Sequence, residues 1–160
     1  MMIGIHLVLR LAPSAQYAAV DAVRGAATDE KARVARRLLI GWGLVLGLIG
    51  LIAGIKSIGD DFLAPRGRLV GYPRLQPFLG DYNMLAALLL IVVAAVMIAA
   101  ALTRSGVLGF GAAAIATVAA LTIYVQLGRP DVWLGGNPAS AAVFACAAVV
   151  GFGTMQSLKS

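Results

Sequence analysis

Four long runs of apolar residues divide the chain, and each is bounded by charged or turn-forming residues. The runs cover about 38–55, 84–102, 106–127 and 139–155. Each approaches the roughly 20 residues that an α-helix needs to cross about 30 Å of hydrocarbon. Because no water reaches the bilayer core, each run must be helical so that its backbone groups bond internally. The pattern predicts an all-α integral membrane four-helix bundle over residues 38–155.

The connections between the runs differ in length and chemistry. Residues 56–83 form a long loop that is rich in proline, glycine and aromatic residues, and we expect it to fold as a cap on the outer side. Residues 103–105 leave room only for a tight antiparallel hairpin. Residues 135–138 form the last turn, in which Asn137 is predicted to cap the fourth helix and Pro138 to occupy its first turn.

Residues 1–37 precede the first span and are predicted to form an amphipathic cytoplasmic or interfacial arm. Within the arm, residues 14–25 place Tyr17, Val20 and Val23 at helical spacing beside charged residues. A helix of this kind can lie on the membrane with its apolar face in the headgroup layer.

A second helix is predicted to begin at Thr28. Its hydroxyl can cap the helix, and Asp29 and Glu30 suit the positive end of the helix dipole. This helix is expected to run unbroken into the first span through a basic segment that contacts anionic lipid or a cytoplasmic partner. The basic segment consists of Lys31, Arg33, Arg36 and Arg37.

Composition and charge support a membrane location and set the orientation. The chain is 61% hydrophobic and only 12% charged, with a mean hydropathy of +0.91 and a net charge of +6. In a polytopic protein this basic excess indicates anionic lipid, so no nucleic acid is expected as a partner. Of the 13 Lys and Arg residues, eight lie on the side of the termini and five on the other. The positive-inside rule therefore predicts that both termini lie in the cytoplasm. The membrane is expected to be the bacterial inner membrane.

The first and third runs each carry small residues along one helical face. The first stripe consists of Gly43, Gly47, Gly50 and Gly54, and the second of Gly109, Ala113, Ala116 and Ala120. Such faces let another helix approach closely. In one interpretation the two stripes pack on each other inside the bundle, and in the other the first stripe docks a partner protein.

The spans lack the residues that membrane enzymes and ion-coupled transporters use. None contains Asp, Glu, Lys, Arg or His, which proton relays and substrate counter-ions require. The one histidine, His6, lies outside the spans, and the one cysteine, Cys146, excludes an internal disulfide and a paired-thiol mechanism. We therefore expect a non-catalytic protein with no cofactor and no metal site.

Several short matches resemble the DoxX-like four-helix membrane proteins over roughly residues 37–153. They are Ala53-Gly54-Ile55-Lys56 at the end of the first span, the long outer loop, Leu102-Thr103-Arg104 at the hairpin, and Gly135-Gly136-Asn137 before the last helix. The resemblance implies a membrane partner of a redox enzyme. Where that family often has a glutamate early in the second span, this chain reads Asn83-Met84-Leu85-Ala86-Ala87.

In general character the chain also resembles small accessory subunits of MCE-type bacterial lipid importers. Both are rich in alanine and glycine and combine a basic cytoplasmic arm with a helix-packing stripe. The leading hypothesis is a non-catalytic accessory subunit of a larger membrane complex, such as a lipid or other transport complex. The alternatives are a DoxX-like redox partner and a small homo-oligomeric lipid or quinone carrier.

Overall fold

The computed structural model describes residues 13–61, 82–127, 134 and 137–158. These residues form four α-helices and the turns beside them. The helices are α1 (Pro13–Asp61), α2 (Met84–Thr103), α3 (Gly106–Gln126) and α4 (Pro138–Met155). All four are long and apolar enough to cross a membrane, as the hydropathy pattern predicts. The other parts of the predicted arm and outer loop, 1–12 and 62–81, lie outside the described residues, as do the outer-turn residues 135–136.

Three of the helices begin where polar capping residues precede an apolar run. The side-chain oxygens of Asn83, Ser105 and Asn137 accept hydrogen bonds from backbone N–H groups three residues further on, at 2.8, 3.3 and 2.9 Å. Pro138 occupies the first turn of α4, where a missing N–H costs nothing. The predicted cap of the fourth helix is therefore confirmed.

The prediction that Thr28 begins a new helix is wrong. α1 runs without a break from Pro13 to Asp61, so it extends into both the predicted arm and the predicted outer loop. Thr28 Oγ1 donates to the carbonyl of Arg24 at 2.6 Å, as hydroxyls do inside helices. Eight alanines among the 25 residues 13–37 favour helix on both sides of Thr28. The expected continuity of the helix through the basic segment into the first span is confirmed.

The helices pack mainly in two pairs. α1 packs along α2, α3 packs along α4, and smaller contacts join α2 to α3 and α1 to α4. Alanine dominates the buried positions, with larger side chains such as Leu46, Leu90, Met97 and Phe144 between them. Short side chains bring the helix backbones close together, which is the usual way in which membrane helices gain packing energy.

The outward faces of the helices are apolar. Exposed positions carry large aliphatic or aromatic side chains, among them Leu48, Ile91, Phe110, Val118 and Val149. Phe110 of α3 and Phe152 of α4 meet edge to face on this surface, with ring centroids 5.7 Å apart. This surface is suited to contact with lipid hydrocarbon and is poorly suited to contact with water.

Candidate functional site at the basic end of the helices

The two small-residue stripes contact different helices and do not form one shared interface. A Cβ atom added at Gly43 would lie 2.7 Å from Ile98 Cγ1, and one added at Gly50 would lie 2.9 Å from the carbonyl oxygen of Ala87. Both neighbours belong to α2. The interpretation in which the two stripes meet each other is therefore wrong, because the first stripe faces α2.

The four glycines of the first stripe are not equally crowded. An added Cβ would meet Ala94 Cβ at 3.6 Å from Gly47, and Ala87 Cβ at 3.9 Å from Gly54. These are ordinary contact distances. Of the four glycines, Gly43 and Gly50 thus lie in the tightest contact with α2, while Gly47 and Gly54 have room for a methyl group.

The second stripe faces α4. Gly109, Ala113 and Ala116 are buried and Ala120 is half-buried. A Cβ atom added at Gly151 of α4 would lie 2.8 Å from Ala113 Cβ and 3.1 Å from the carbonyl oxygen of Gly109. Sequence reasoning missed Gly151, although Ala147 and Gly151 have the same four-residue spacing of small residues as the stripes.

The basic segment of α1 lies beside the carboxyl ends of α2 and α4. We call this region of the molecule the basic end. It holds six of the seven Lys and Arg residues in the part of the chain that the structure describes: Arg24, Lys31, Arg33, Arg36, Arg37 and Arg104. Three acids, Asp21, Asp29 and Glu30, lie on the same part of α1. The basic end therefore has a net positive charge.

Arg36 links α1 to α2. Its Nε donates to the carbonyl oxygen of Ala101 at 3.0 Å in a half-buried setting. Ala101 is in the last turn of α2, where carbonyls have no partner within the helix. The backbone N–H groups of Arg104 and Ser105 both turn back to Ala100, and Arg104 adopts a left-handed conformation with φ 54°. The Arg36 guanidinium thus provides a hydrogen-bond donor for the Ala101 carbonyl and lies at the negative end of the α2 dipole.

The other basic side chains face outward. Arg33 pairs with Glu30 at 3.0 Å, and both side chains are about 60% exposed. Lys31 and Arg37 are exposed. The structure thus separates the four predicted contact residues: Arg36 bonds within the protein, and Lys31, Arg33 and Arg37 stay accessible to outside partners.

The first part of α1 is exposed around its whole circumference. Every described side chain from Tyr17 to Lys31 is exposed except that of Thr28, which is intermediate, and burial begins only at Ala35. Tyr17, Val20 and Val23 are between 57% and 71% exposed. We call residues 13–30 the free arm.

A groove opens between α1 and α4 at the basic end. Its volume is about 310 Å³, and it is open to the outside. The α1 side contributes Glu30, Lys31, Val34, Ala35 and Leu38, and the α4 end contributes Gly153, Thr154 and Ser157. Among the described residues, no atom beyond the neighbouring helix backbone lies within 4 Å of a Cβ added at Gly153, so the absence of a side chain there keeps the groove open.

Polar side chains within the spans bond locally. Thr117 and Thr122 donate to carbonyls one turn earlier in α3, both at 2.8 Å. Gln126 Oε1 accepts from the N–H of Leu134 at 3.1 Å and so ties the end of α3 to the connection that follows. Cys146 is exposed on α4. None of these side chains belongs to the basic end.

Comparison with known proteins gives no relative from which a role could be transferred. No family model matches the chain, and no curated protein and no solved structure is significantly similar to it.

Proposed function

We propose that the protein is a non-catalytic accessory subunit of a larger complex in the bacterial inner membrane, with lipid transport as the first candidate process. In this proposal the four helices form a transmembrane bundle and both termini lie in the cytoplasm. The apolar outward faces of all four helices support the membrane placement. The concentration of described basic residues at one end supports the orientation.

The exposed apolar side chains of the free arm are the observation on which the proposal rests. Val20 lies about 27 Å along the helix axis from Leu38, where the apolar span begins. The headgroup layer is only about 5–8 Å thick on each side of the hydrocarbon. A straight arm therefore carries Tyr17, Val20 and Val23 past the headgroups, with their apolar surfaces uncovered. Such a helix is suited to binding another protein.

Docking through the glycine face of α1, by contrast, would require a partner to displace α2. Gly43 and Gly50 are already in close contact with that helix. We therefore assign partner docking to the free arm, and we assign helix packing within the bundle to both small-residue stripes. The basic segment below the arm holds the orientation through anionic lipid, mainly by Lys31 and Arg37.

The test is a pulldown from native membranes through a tag at the carboxyl terminus, after mild solubilisation, with mass spectrometry of proteins and lipids. The wild-type chain should recover larger membrane subunits in fixed stoichiometry. The double variant Val20→Glu, Val23→Glu places two charges on the apolar side of the arm and should release them. Neither side chain is buried, so insertion and folding should be unaffected.

The matched control is Ala18→Glu, Ala22→Glu, which adds the same charge to the other side of the same exposed turns. It should retain the partners. Equal recovery by both double variants would contradict docking through the apolar side of the arm. Recovery of a soluble oxidoreductase would favour the redox-partner alternative, and recovery of the chain alone as an oligomer with lipid would favour the carrier.

A further inference from the structure

The groove at the basic end runs along α1 from charged residues to apolar residues, as a lipid-binding site would. Along α1 the groove extends about 10 Å, from Lys31 at the rim nearest the free arm to the half-exposed Leu38 at the start of the span. Leu38 is the first residue of the apolar run, and Gly153 lies within the last turn of α4. The groove thus spans the boundary at which phospholipid headgroups give way to acyl chains.

The chemistry of the lining changes along the same direction. At the rim, Lys31 offers an exposed ammonium beside the half-buried Ser157. Toward the span, Val34, Ala35 and Leu38 present only hydrocarbon. A molecule that fills the groove must therefore have a polar head and an apolar tail.

The charge at the rim favours an anion. Glu30 also borders the groove, but its carboxylate is paired with Arg33. On a helix with 3.6 residues per turn, Arg33 projects roughly 160° away from Lys31. The ion pair therefore draws the Glu30 carboxylate toward the side of α1 that faces away from the groove. Lys31 is left as the dominant charge, in a region that is net positive.

We propose that this groove binds one anionic phospholipid, with its phosphate at Lys31 and an acyl chain between Leu38 and Gly153. The inference rests on the membrane placement in the proposed function and deepens the role of the basic segment. It does not depend on partner docking by the free arm. The occupant is a lipid and not a helix of a second copy, because the rim requires an anion and described residues at this end have a net positive charge.

Native mass spectrometry of the purified chain, in detergent with equal amounts of phosphatidylglycerol and phosphatidylcholine, tests the proposal. The wild-type chain should retain one phosphatidylglycerol in preference to phosphatidylcholine. Gly153→Leu fills open space within α4, so the chain should fold with a thermal stability at least equal to that of the wild type and lose the bound lipid. The control is Gly111→Leu, which adds the same side chain to open space on α3 and should keep the lipid.

Charge at the rim is tested separately. Lys31→Gln should lower the preference for phosphatidylglycerol by about fivefold, the effect of one basic residue near a membrane surface, while phosphatidylcholine retention stays the same. Arg24→Gln removes the same charge from the free arm and should leave the preference intact. Because these spectra are taken without a partner, a negative result here leaves the pulldown test of the accessory role standing.

Three outcomes would overturn the inference. They are equal retention of the two lipids by the wild-type chain, unchanged retention by Gly153→Leu, and a wild-type dimer that Gly153→Leu converts to monomer with no change in lipid. The last outcome would assign the groove to a second copy of the chain.

Discussion

The two halves of α1 show how differently one continuous helix can be used. From residue 38 to residue 55 the helix is glycine-rich, and two of its glycines touch the backbone or side chains of α2. From residue 13 to residue 31 it is alanine-rich, and nearly every described side chain is exposed. The membrane half is held by close packing, whereas the arm is held by helix propensity alone. The arm also avoids the cost of nucleation, because it extends a helix that the span has already formed.

The largest effect is expected at a crowded glycine of α1 that faces α2. Gly50→Ala should lower the free energy of unfolding by about 2 kcal/mol, because its Cβ would lie 2.9 Å from the Ala87 carbonyl and 3.1 Å from Leu90 Cβ, which cannot easily move. Gly47→Ala is the matched control. Its Cβ meets Ala94 Cβ at 3.6 Å, so the variant should be neutral or slightly more stable.

Unfolding in mixed micelles, followed by circular dichroism, measures both variants. Equal effects at Gly47 and Gly50 would contradict the alternation of tight and loose contacts along the stripe. Release of a partner by Gly50→Ala without loss of stability would return the docking role to the glycine face.

Substitution at the junction between the two halves of α1 should cause the next largest loss in the free energy of unfolding. Arg36→Met keeps much of the aliphatic stem but removes the hydrogen bond to Ala101, which should cost about 1.5 kcal/mol, the lower end for a bond to a charged group. Arg37→Met, one residue further on, removes an exposed charge and should stay within about 0.5 kcal/mol of the wild type. The same unfolding measurement compares them. A larger loss for Arg37 would mean that the charge of the segment, and not this one bond, stabilises the junction.

The membrane half could be predicted from the sequence because a bilayer imposes strong rules. The runs of apolar residues placed three of the helices to within one residue at either end, and Asn137 was a recognisable cap. The sequence does not predict that α1 continues across Thr28, because Thr28 with two following acids has the features of a helix start. No local signal shows that alanines on either side will carry the helix past such a residue.

The partners of the stripes could not be predicted from the sequence. Spacing shows that Gly43 and Gly50 share a face, but a face can pack on any helix that is nearby. The same limit applies to Arg36, whose acceptor is a backbone carbonyl 65 residues away, and to the groove, which depends on the open space beside Gly153. Each of these depends on tertiary placement, which residue types alone do not encode.

A smaller effect is expected in the arm itself. Gly25 lies within α1, and among the described residues no atom beyond the neighbouring helix backbone is within 4 Å of a Cβ added there. Gly25→Ala should therefore stabilise the arm locally by about 0.4–1 kcal/mol. Hydrogen exchange should slow for amides of residues 17–31 and remain unchanged in α2 and α3. A change in the global unfolding midpoint would contradict the idea that the arm is stabilised independently of the bundle.

The smallest effect on stability is expected at the ion pair of the basic end. Glu30→Gln should lower stability by only about 0.2–0.5 kcal/mol, because both side chains of the pair are about 60% exposed. Among the described residues, Glu30 is the one carboxylate that borders the groove, so its removal should raise retention of phosphatidylglycerol. Asp29→Asn, which changes the net charge equally but does not border the groove, should leave retention as it is. If both variants raise retention equally, the overall charge of the arm attracts the lipid, and the groove does not select it.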